Sequence, residues 1–129
     1  MIIGMWNYAV KVRDLRQASG FYTEHLGGEI QLQGTVLGSQ YVLIRLGQTR
    51  LLLMDRAPYE QQLGLDLAPG LLHLVFEVDD FDSHLDRLRR SGVRFLTEPQ
   101  VIQTDFDRRR IVFFETPEGI RTEIMQVLD

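Results

Sequence analysis

The sequence predicts an α+β domain of two tandem βαβββ modules, whose curved mixed sheets enclose a cleft. The main observation is an internal repeat. Residues 5–15 (MWNYAVKVRDL) and 71–81 (LLHLVFEVDDF) both show apolar alternation that leads into a valine, an acidic residue and a large apolar residue. The second observation is that a helical pattern and three strand-like runs follow each copy. Neither half, at about sixty residues, buries much surface alone, so the modules are expected to share one domain.

The first module is predicted to span residues 1–56. Residues 7–12 alternate and are rich in strand-forming side chains, which indicates a strand. Asp14 is a suitable N-cap for the helix that follows, and Gly27 is a suitable end for it. Strands are then predicted at residues 29–33, 41–46 and 50–55, with a proline- and glycine-containing linker at residues 57–70.

The second module, residues 71–129, repeats this order. It begins with a strand at residues 72–78, and Asp80 caps a helix that ends before Gly92. The last three strands are predicted at residues 93–96, 110–115 and 120–128.

Composition excludes several classes of function. Apolar residues make up 44% and charged residues 25% of the 129 residues, and the net charge of −4 does not favour nucleic-acid binding. The basic run at residues 108–110 is interpreted as a turn and a solvated strand edge. Without cysteine the chain has no disulfide or thiolate chemistry. The first residues show no signal-peptide pattern and no apolar run is long enough to span a membrane, so we expect a cytoplasmic protein.

Alternation on the first strand of each module separates two faces. Tyr8, Val10 and Val12 are expected to pack on the helix, as are their counterparts in the second module. The opposite face then carries polar side chains, which is unusual for a strand turned away from a helix. These are Asn7 and Lys11 in the first module and His73 and Glu77 in the second. We expect Lys11 and Glu77 to be solvated.

Two segments resemble the vicinal oxygen chelate superfamily, which includes glyoxalase I, bleomycin-resistance proteins and extradiol dioxygenases. Residues 12–30 (VRDLRQASGFYTEHLGGEI) are similar to the opening of the family's module, and residues 113–126 (FFETPEGIRTEIMQ) are similar to its closing turn and strand. The resemblance covers nearly the whole chain and implies one glyoxalase-like domain over residues 1–129. It also implies a small-molecule ligand and a homodimer.

The resemblance further implies a metal site with one ligand on the first strand and one on the last strand of each module. His73 and Glu123 fill both positions in the second module, whereas Asn7 and Leu51 stand there in the first. Imidazole and carboxylate groups suit zinc, nickel, iron or manganese. Asn7 could add a third contact through its amide oxygen, but a leucine cannot bind a metal. The cofactor is therefore expected to be a divalent transition metal or to be absent.

Two functions of different class follow. The first is an enzyme of lyase, isomerase or dioxygenase type, in which a divalent metal chelates neighbouring oxygens of the substrate and Glu123 or a water carries a proton. The second is a metal-free binding protein of the bleomycin-resistance type that sequesters a toxin or drug. The altered first-module positions favour the binding protein, and the retained pair of His73 and Glu123 favours the enzyme.

The remaining candidate residues would line the substrate pocket. They are Leu51, Leu53, Met5, Tyr41, Phe106 and Phe113. The other two histidines, His25 and His84, fall on helices and are expected to have structural roles.

Overall fold

The computed structural model describes residues 1–105 and 107–128, which hold nine strands and three helices. The strands are β1 (Ile2–Lys11), β2 (Glu29–Val36), β3 (Ser39–Leu46), β4 (Thr49–Met54), β5 (Gly70–Val78), β6 (Arg94–Phe95), β7 (Gln100–Gln103), β8 (Arg108–Glu115) and β9 (Arg121–Val127). The helices are α1 (Leu15–Leu26), α2 (Glu60–Leu63) and α3 (Phe81–Ser91). This element order confirms the predicted α+β class.

The chain divides into two compact units, Asn7–Leu72 and Met1–Trp6 with His73–Asp129. We call them the N-terminal and the C-terminal unit. In the N-terminal unit β1 runs parallel to β4, and β4, β3 and β2 follow in antiparallel pairs. In the C-terminal unit β5 runs parallel to β9, β9 pairs antiparallel with β8, and β8 pairs antiparallel with both β6 and β7. Each unit thus contains a mixed sheet.

The ends of the two long helices are fixed by the residues that the sequence predicts. Asp14 accepts a hydrogen bond at 3.0 Å from the backbone N–H three residues on, and Asp80 does the same at 3.2 Å. Gly27 and Gly92 follow the last helical turns with φ of 72° and 78°, in the left-handed region that favours glycine.

Each helix covers one face of the sheet in its own unit. In the N-terminal unit Val42, Ile44 and Leu53 are buried with residues of α1, and Val10 and Val12 pack against them as predicted. In the C-terminal unit α3 contributes to the buried cluster of Val78, Phe81, Leu85, Val112, Phe114 and Ile124. These two clusters define the helix-facing side of each sheet.

Several elements differ from the sequence prediction. β1 begins five residues earlier than residue 7, at Ile2, and β7 was not predicted. The segment predicted as a linker contains α2. Residues 108–110 are the start of β8 rather than a turn. Within this run Arg109 is buried, pairs with Asp107 at 2.7 Å and lies 5.1 Å above the ring of Trp6.

None of the helices in the described residues is long and apolar enough to cross a membrane.

Candidate active site

The candidate site lies on the face of the C-terminal sheet that is turned away from α3. Val78 and Ile124 pack in the cluster with α3, so the side chains that alternate with them point the other way. Val75 on β5 is directly opposite Glu123 on β9 in the parallel ladder. His73 is two residues before Val75 and therefore shares this face with Glu123.

His73 and Glu123, the two ligand positions that the resemblance implies for the second module, contact each other. The distance from His73 Nε2 to Glu123 Oε1 is 3.4 Å. Only 2% of His73 and 8% of Glu123 is exposed to solvent. A separation of 3.4 Å is beyond the usual 2.7–3.2 Å of an N–H···O hydrogen bond, so the pair is close but not tightly bonded.

Phe113 forms an apolar wall beside this pair. It is opposite Glu123 in the antiparallel ladder of β8 and β9 and is 1% exposed. Its ring meets the imidazole of His73 edge to face, with 4.9 Å between centroids and 74° between planes. The backbone N–H of Phe113 donates to Thr97 Oγ1 at 3.3 Å. An edge-to-face contact restricts rotation of the imidazole and so helps to fix the direction of its nitrogen atoms.

The spacing of the two donors fits a divalent cation. Two donors that each lie about 2.1 Å from one tetrahedral ion are about 3.4 Å apart, which matches the distance from Nε2 to Oε1. The donor set itself, one imidazole and one carboxylate, suits a transition metal. Within residues 1–105 and 107–128, however, no three His, Cys, Asp or Glu side chains are grouped in a way that could hold a metal. A bound ion would therefore need ligands of another kind.

Asn7 belongs to the N-terminal unit, where it is 4% exposed. In the described part of the chain its Nδ2 atom is buried without a hydrogen-bond partner. A buried amide N–H₂ group without a partner costs free energy, and such groups in a folded protein require an explanation. An amide carries an acceptor oxygen and a donor N–H₂ group and can rotate, so the unsatisfied amide fits either a donor or an acceptor role toward a ligand.

The structure corrects the position in the first module that corresponds to Glu123. Val75 is opposite Glu123, and the repeat equivalent of Val75 is Ala9, which is opposite Leu52. Leu52 is therefore the equivalent residue, and the prediction of Leu51 is wrong by one position. Counting four residues from the turn glycine fails because the equivalent strand position is five residues after Gly47 but four residues after Gly119.

The same register corrects the predicted pocket role of Leu51 and Leu53. Leu53 belongs to the buried cluster with α1 and is 0% exposed, and the partly buried Leu51 packs against this cluster. They therefore contribute to the helix-facing core of the N-terminal unit and do not line a pocket on the opposite face.

The other predicted pocket residues lie in different places. Tyr41 is buried in the N-terminal unit, where its hydroxyl is close to Gly34. Met5 in the C-terminal unit is 37% exposed. Phe106 lies outside the described residues. Of the helical histidines, His25 contacts Phe21 in a tilted arrangement with 5.4 Å between ring centroids, and the Nδ1 atom of His84 lies 3.3 Å from the carbonyl oxygen of Asp80. Burial lowers the pKa of His84.

The prediction that the side chain of Lys11 is solvated is wrong. Its side chain is only 11% exposed, and its ammonium group contacts Glu60 Oε2 at 2.9 Å. It also donates to the carbonyl oxygen of Leu67 at 2.6 Å and contacts Asp66 Oδ1 at 3.4 Å. The hydrogen bond to Glu60 raises the pKa of Lys11. Sequence alternation places Lys11 on this face, but no local pattern identifies partners about fifty residues away.

The model of the Glyoxalase/Bleomycin resistance protein/Dioxygenase superfamily matches residues 6–124. The chain belongs to this superfamily. The recognition made from residues 12–30 and 113–126 is thereby confirmed. Members of the glyoxalase superfamily commonly use a divalent metal, and the site described above lies within the matched residues.

Two curated relatives of this chain are epimerases. A 2-epi-5-epi-valiolone epimerase of Actinomyces sp. is 30% identical, over 97% of this chain and 80% of the relative. The mitochondrial methylmalonyl-CoA epimerase of Mus musculus is 29% identical over 74% of this chain and 58% of the relative. The prediction of an enzyme is therefore confirmed. Epimerases fit the isomerase alternative better than the lyase or dioxygenase alternatives.

Solved structures confirm the fold. Methylmalonyl-CoA epimerase from Mycobacterium tuberculosis superposes with a TM-score of 0.76 at 24% identity, covering 99% of this chain and 90% of that one. Methylmalonyl-CoA epimerase from Streptomyces coelicolor in complex with 2-nitronate-propionyl-CoA gives a TM-score of 0.77 at 22% identity, covering 100% of both chains. At these identities the likeness concerns the fold alone.

Proposed function

We propose that this protein is an epimerase that inverts a carbon centre next to a carbonyl group of a small molecule, with His73 and Glu123 at the reacting end of its pocket. The observation that carries the proposal is the 3.4 Å contact between the buried imidazole and the buried carboxylate. The two epimerase relatives that cover most of this chain favour this reaction over ring cleavage or lysis.

The proposed reaction moves one proton and changes no oxidation state. A base takes the proton from the carbon next to the carbonyl, the bonding electrons pass to the carbonyl oxygen, and a proton returns to the opposite face of the same carbon. Glu123 or a water molecule takes the first proton. Removing a proton from carbon is difficult mainly because negative charge develops on the oxygen, so stabilising that oxygen is the main task of the site.

His73 and Glu123 are the residues that would hold a divalent cation in this protein. Such a cation supplies Lewis-acid stabilisation of negative charge on the substrate's carbonyl oxygen. We keep Asn7 as the candidate third ligand because it is the repeat equivalent of His73 and has an unsatisfied amide. The metal is zinc, nickel, iron or manganese in this proposal.

Burial of the pair supports the same chemistry. His73, Glu123 and Phe113 are each at most 8% exposed. A dry environment strengthens the interaction of a charged or polar group with a developing charge. Phe113 excludes water from one side of the imidazole and holds its ring in place.

Hydrogen exchange at carbon tests the proposal directly. The metal-loaded protein is incubated in D₂O with methylmalonyl-CoA or with 2-epi-5-epi-valiolone, the compounds named by the relatives, and proton NMR follows the hydrogen on the epimerised carbon. We expect deuterium to enter at that carbon with at least one of the two compounds. His73→Ala and Glu123→Gln should each lower the exchange rate by about 10²-fold or more, as expected for loss of a group that stabilises the transition state.

His84→Ala is the matched control for loss of an imidazole, because His84 lies on α3 and contacts a backbone carbonyl. Its exchange rate should equal that of the unchanged protein. Exchange that is slow in every variant, or equally fast without His73 and Glu123, would contradict the proposal.

A metal-free binding protein is the second candidate. Leu52 at the position equivalent to Glu123 and the lack of a three-residue ligand group in residues 1–105 and 107–128 favour it. Saturable binding of a small molecule with no exchange at carbon and no metal uptake would establish this alternative. The homodimer, the cytoplasmic location and the pocket roles of Met5 and Tyr41 stay predictions.

A further inference from the structure

The segment of residues 57–67 between the two modules is built into the fold. We call this segment the strap. It contains α2, and its residues Ala57, Tyr59 and Glu60 are 1%, 0% and 4% exposed. A flexible connection would keep such residues in water, because loops in general run over the surface. The burial of these three residues, in a segment whose second half is mostly exposed, therefore requires a structural or functional reason.

One anchor of the strap is the ammonium group of Lys11. An ammonium group has three N–H donors, and Lys11 Nζ has three acceptors within reach. They are Glu60 Oε2 at 2.9 Å, Leu67 O at 2.6 Å and Asp66 Oδ1 at 3.4 Å. Glu60 is the first residue of α2, and Asp66 and Leu67 follow the helix, so a single cation holds the strap near both ends of α2. Because its donors are occupied and its pKa is raised, Lys11 is suited to anchoring the strap and not to proton transfer.

Glu60 extends this anchor within the strap. Its second carboxylate oxygen, Oε1, accepts the backbone N–H of Ala57 at 3.0 Å. The chain from Ala57 to Glu60 is thus closed into a tight turn, and the one-turn helix α2 begins there. Both oxygens of a buried carboxylate are bonded, as burial of a charge requires.

The second anchor connects the strap to the strand that carries His73. Tyr59 lies inside the closed turn, and its hydroxyl donates to the carbonyl oxygen of Leu72 at 3.3 Å. Leu72 immediately precedes His73, so this oxygen belongs to the peptide group that ends at the nitrogen of His73. Fixing the peptide group restricts the Cα position of His73 and the direction of its side chain.

We propose that Tyr59 and Lys11 are positioning residues, which hold His73 in place through the strap for the proposed metal-assisted epimerisation. The inference rests on the proposed function for the role of His73. Residues that orient a metal ligand without touching the metal typically change metal affinity by about 10–100-fold when they are lost. In this proposal the strap restrains the backbone of His73, and Phe113 restrains its imidazole ring.

Tyr59→Phe is the principal test, because it removes one hydroxyl and keeps the buried ring. Its matched control is Tyr8→Phe, on the partly exposed β1 residue. Co²⁺ affinity is measured by titration of the purified full-length chain, with visible absorption as a signature of imidazole coordination. We expect Tyr59→Phe to weaken Co²⁺ binding by about tenfold and to change the absorption spectrum, while circular dichroism and the control variant stay unchanged.

Lys11→Met tests the first anchor independently, with Arg45→Met as control. Arg45 forms an exposed pair with Glu29 at 2.7 Å in the same unit. We expect Lys11→Met to weaken Co²⁺ binding in the same direction as Tyr59→Phe, and Arg45→Met to leave it unchanged. A second readout needs no metal: the sequence has three histidines, so the ring signals of His73 can be assigned by NMR and compared between variants.

The outcomes separate this inference from the proposed function. Co²⁺ affinity and a His73 ring signal that are both unchanged in Tyr59→Phe and Lys11→Met would overturn the positioning role. If the unchanged protein binds no Co²⁺, the metal of the proposed function fails instead. In that case a shifted His73 signal in the metal-free variants still supports the positioning role, and an unshifted one overturns it.

Discussion

His73 Nε2 and Glu123 Oε1 lie 3.4 Å apart on the neighbouring parallel strands β5 and β9. The two residues share a face because Val75, two residues after His73, is directly opposite Glu123. A buried imidazole and a buried carboxylate are thereby brought together by register alone.

The first prediction concerns metal binding. His73→Ala and Glu123→Gln should each reduce the affinity for Zn²⁺ or Co²⁺ by at least about 10²-fold. The first variant loses the imidazole ligand and the second loses the charged carboxylate ligand. Isothermal titration calorimetry of the purified protein measures this affinity. His84→Ala should bind the metal as the unchanged protein does, and an equal loss from His84→Ala would refute the assignment of the ligand face.

The second prediction compares two neighbouring leucines of β4. Leu53→Ala should lower the free energy of unfolding by about 2–5 kcal/mol, because Leu53 is fully buried in the cluster with α1. Leu52→Ala should cost clearly less, since Leu52 is partly exposed and lies on the opposite face. Urea denaturation of both variants measures the difference. Equal losses would show that the corrected equivalence of Leu52 with Glu123 is wrong.

The third prediction concerns the unsatisfied amide of Asn7. Asn7→Leu keeps the size of the side chain and removes a buried amide nitrogen without a partner in the described residues. The free energy of unfolding of the metal-free protein should therefore stay the same or rise by about 1 kcal/mol. Urea denaturation tests this expectation, with Asn7→Ala as a control that leaves a cavity. A large loss for Asn7→Leu would mean that the amide stabilises the fold.

The fourth prediction is a pH dependence. The hydrogen bond to Glu60 raises the pKa of Lys11 above its ordinary value of 10.5. The folded protein then holds this proton more tightly than the unfolded chain, so the contribution of the ammonium to stability is complete below pH 10.5 and is lost as the pH rises through the raised value. Urea denaturation at increasing pH should show this loss, and Lys11→Met should not show it.

Lys11 is the only lysine in the sequence, which makes the same prediction measurable at one atom. In protein labelled with ¹⁵N-lysine, the Nζ signal reports a single ammonium group. Its titration midpoint should lie above 10.5, and in Glu60→Gln it should move towards the ordinary value. A midpoint below 10.5 would contradict the anchoring role.

The parts of the fold that sequence analysis predicts are those that depend on local patterns. Asp14 and Asp80 are recognisable as N-caps because an N-cap acts on backbone groups within a few residues. The faces of β1 and β5 follow from alternation, which requires only the direction of neighbouring side chains. The resemblance to the superfamily then implies His73 and Glu123 as ligand positions of the second module without knowledge of the sheet.

The parts of the fold that sequence analysis does not predict depend on the register of the sheet or on partners that are distant in sequence. Counting from the turn glycines indicates Leu51 instead of Leu52, because the number of residues from the glycine to the equivalent ladder position differs by one between the modules, and only the register of the sheet shows this difference. The basic run indicates a turn at Arg109, because the burial of Arg109 and its place above Trp6 depend on tertiary packing. The contact of Lys11 with Glu60 joins elements about fifty residues apart, for which no local pattern exists.

Anomalous diffraction from crystals grown with Co²⁺ tests the central claim most directly. The account predicts a single strong peak within about 2.0–2.2 Å of both His73 Nε2 and Glu123 Oε1. A map without a peak between these atoms, while the imidazole and the carboxylate still contact each other directly, would contradict it.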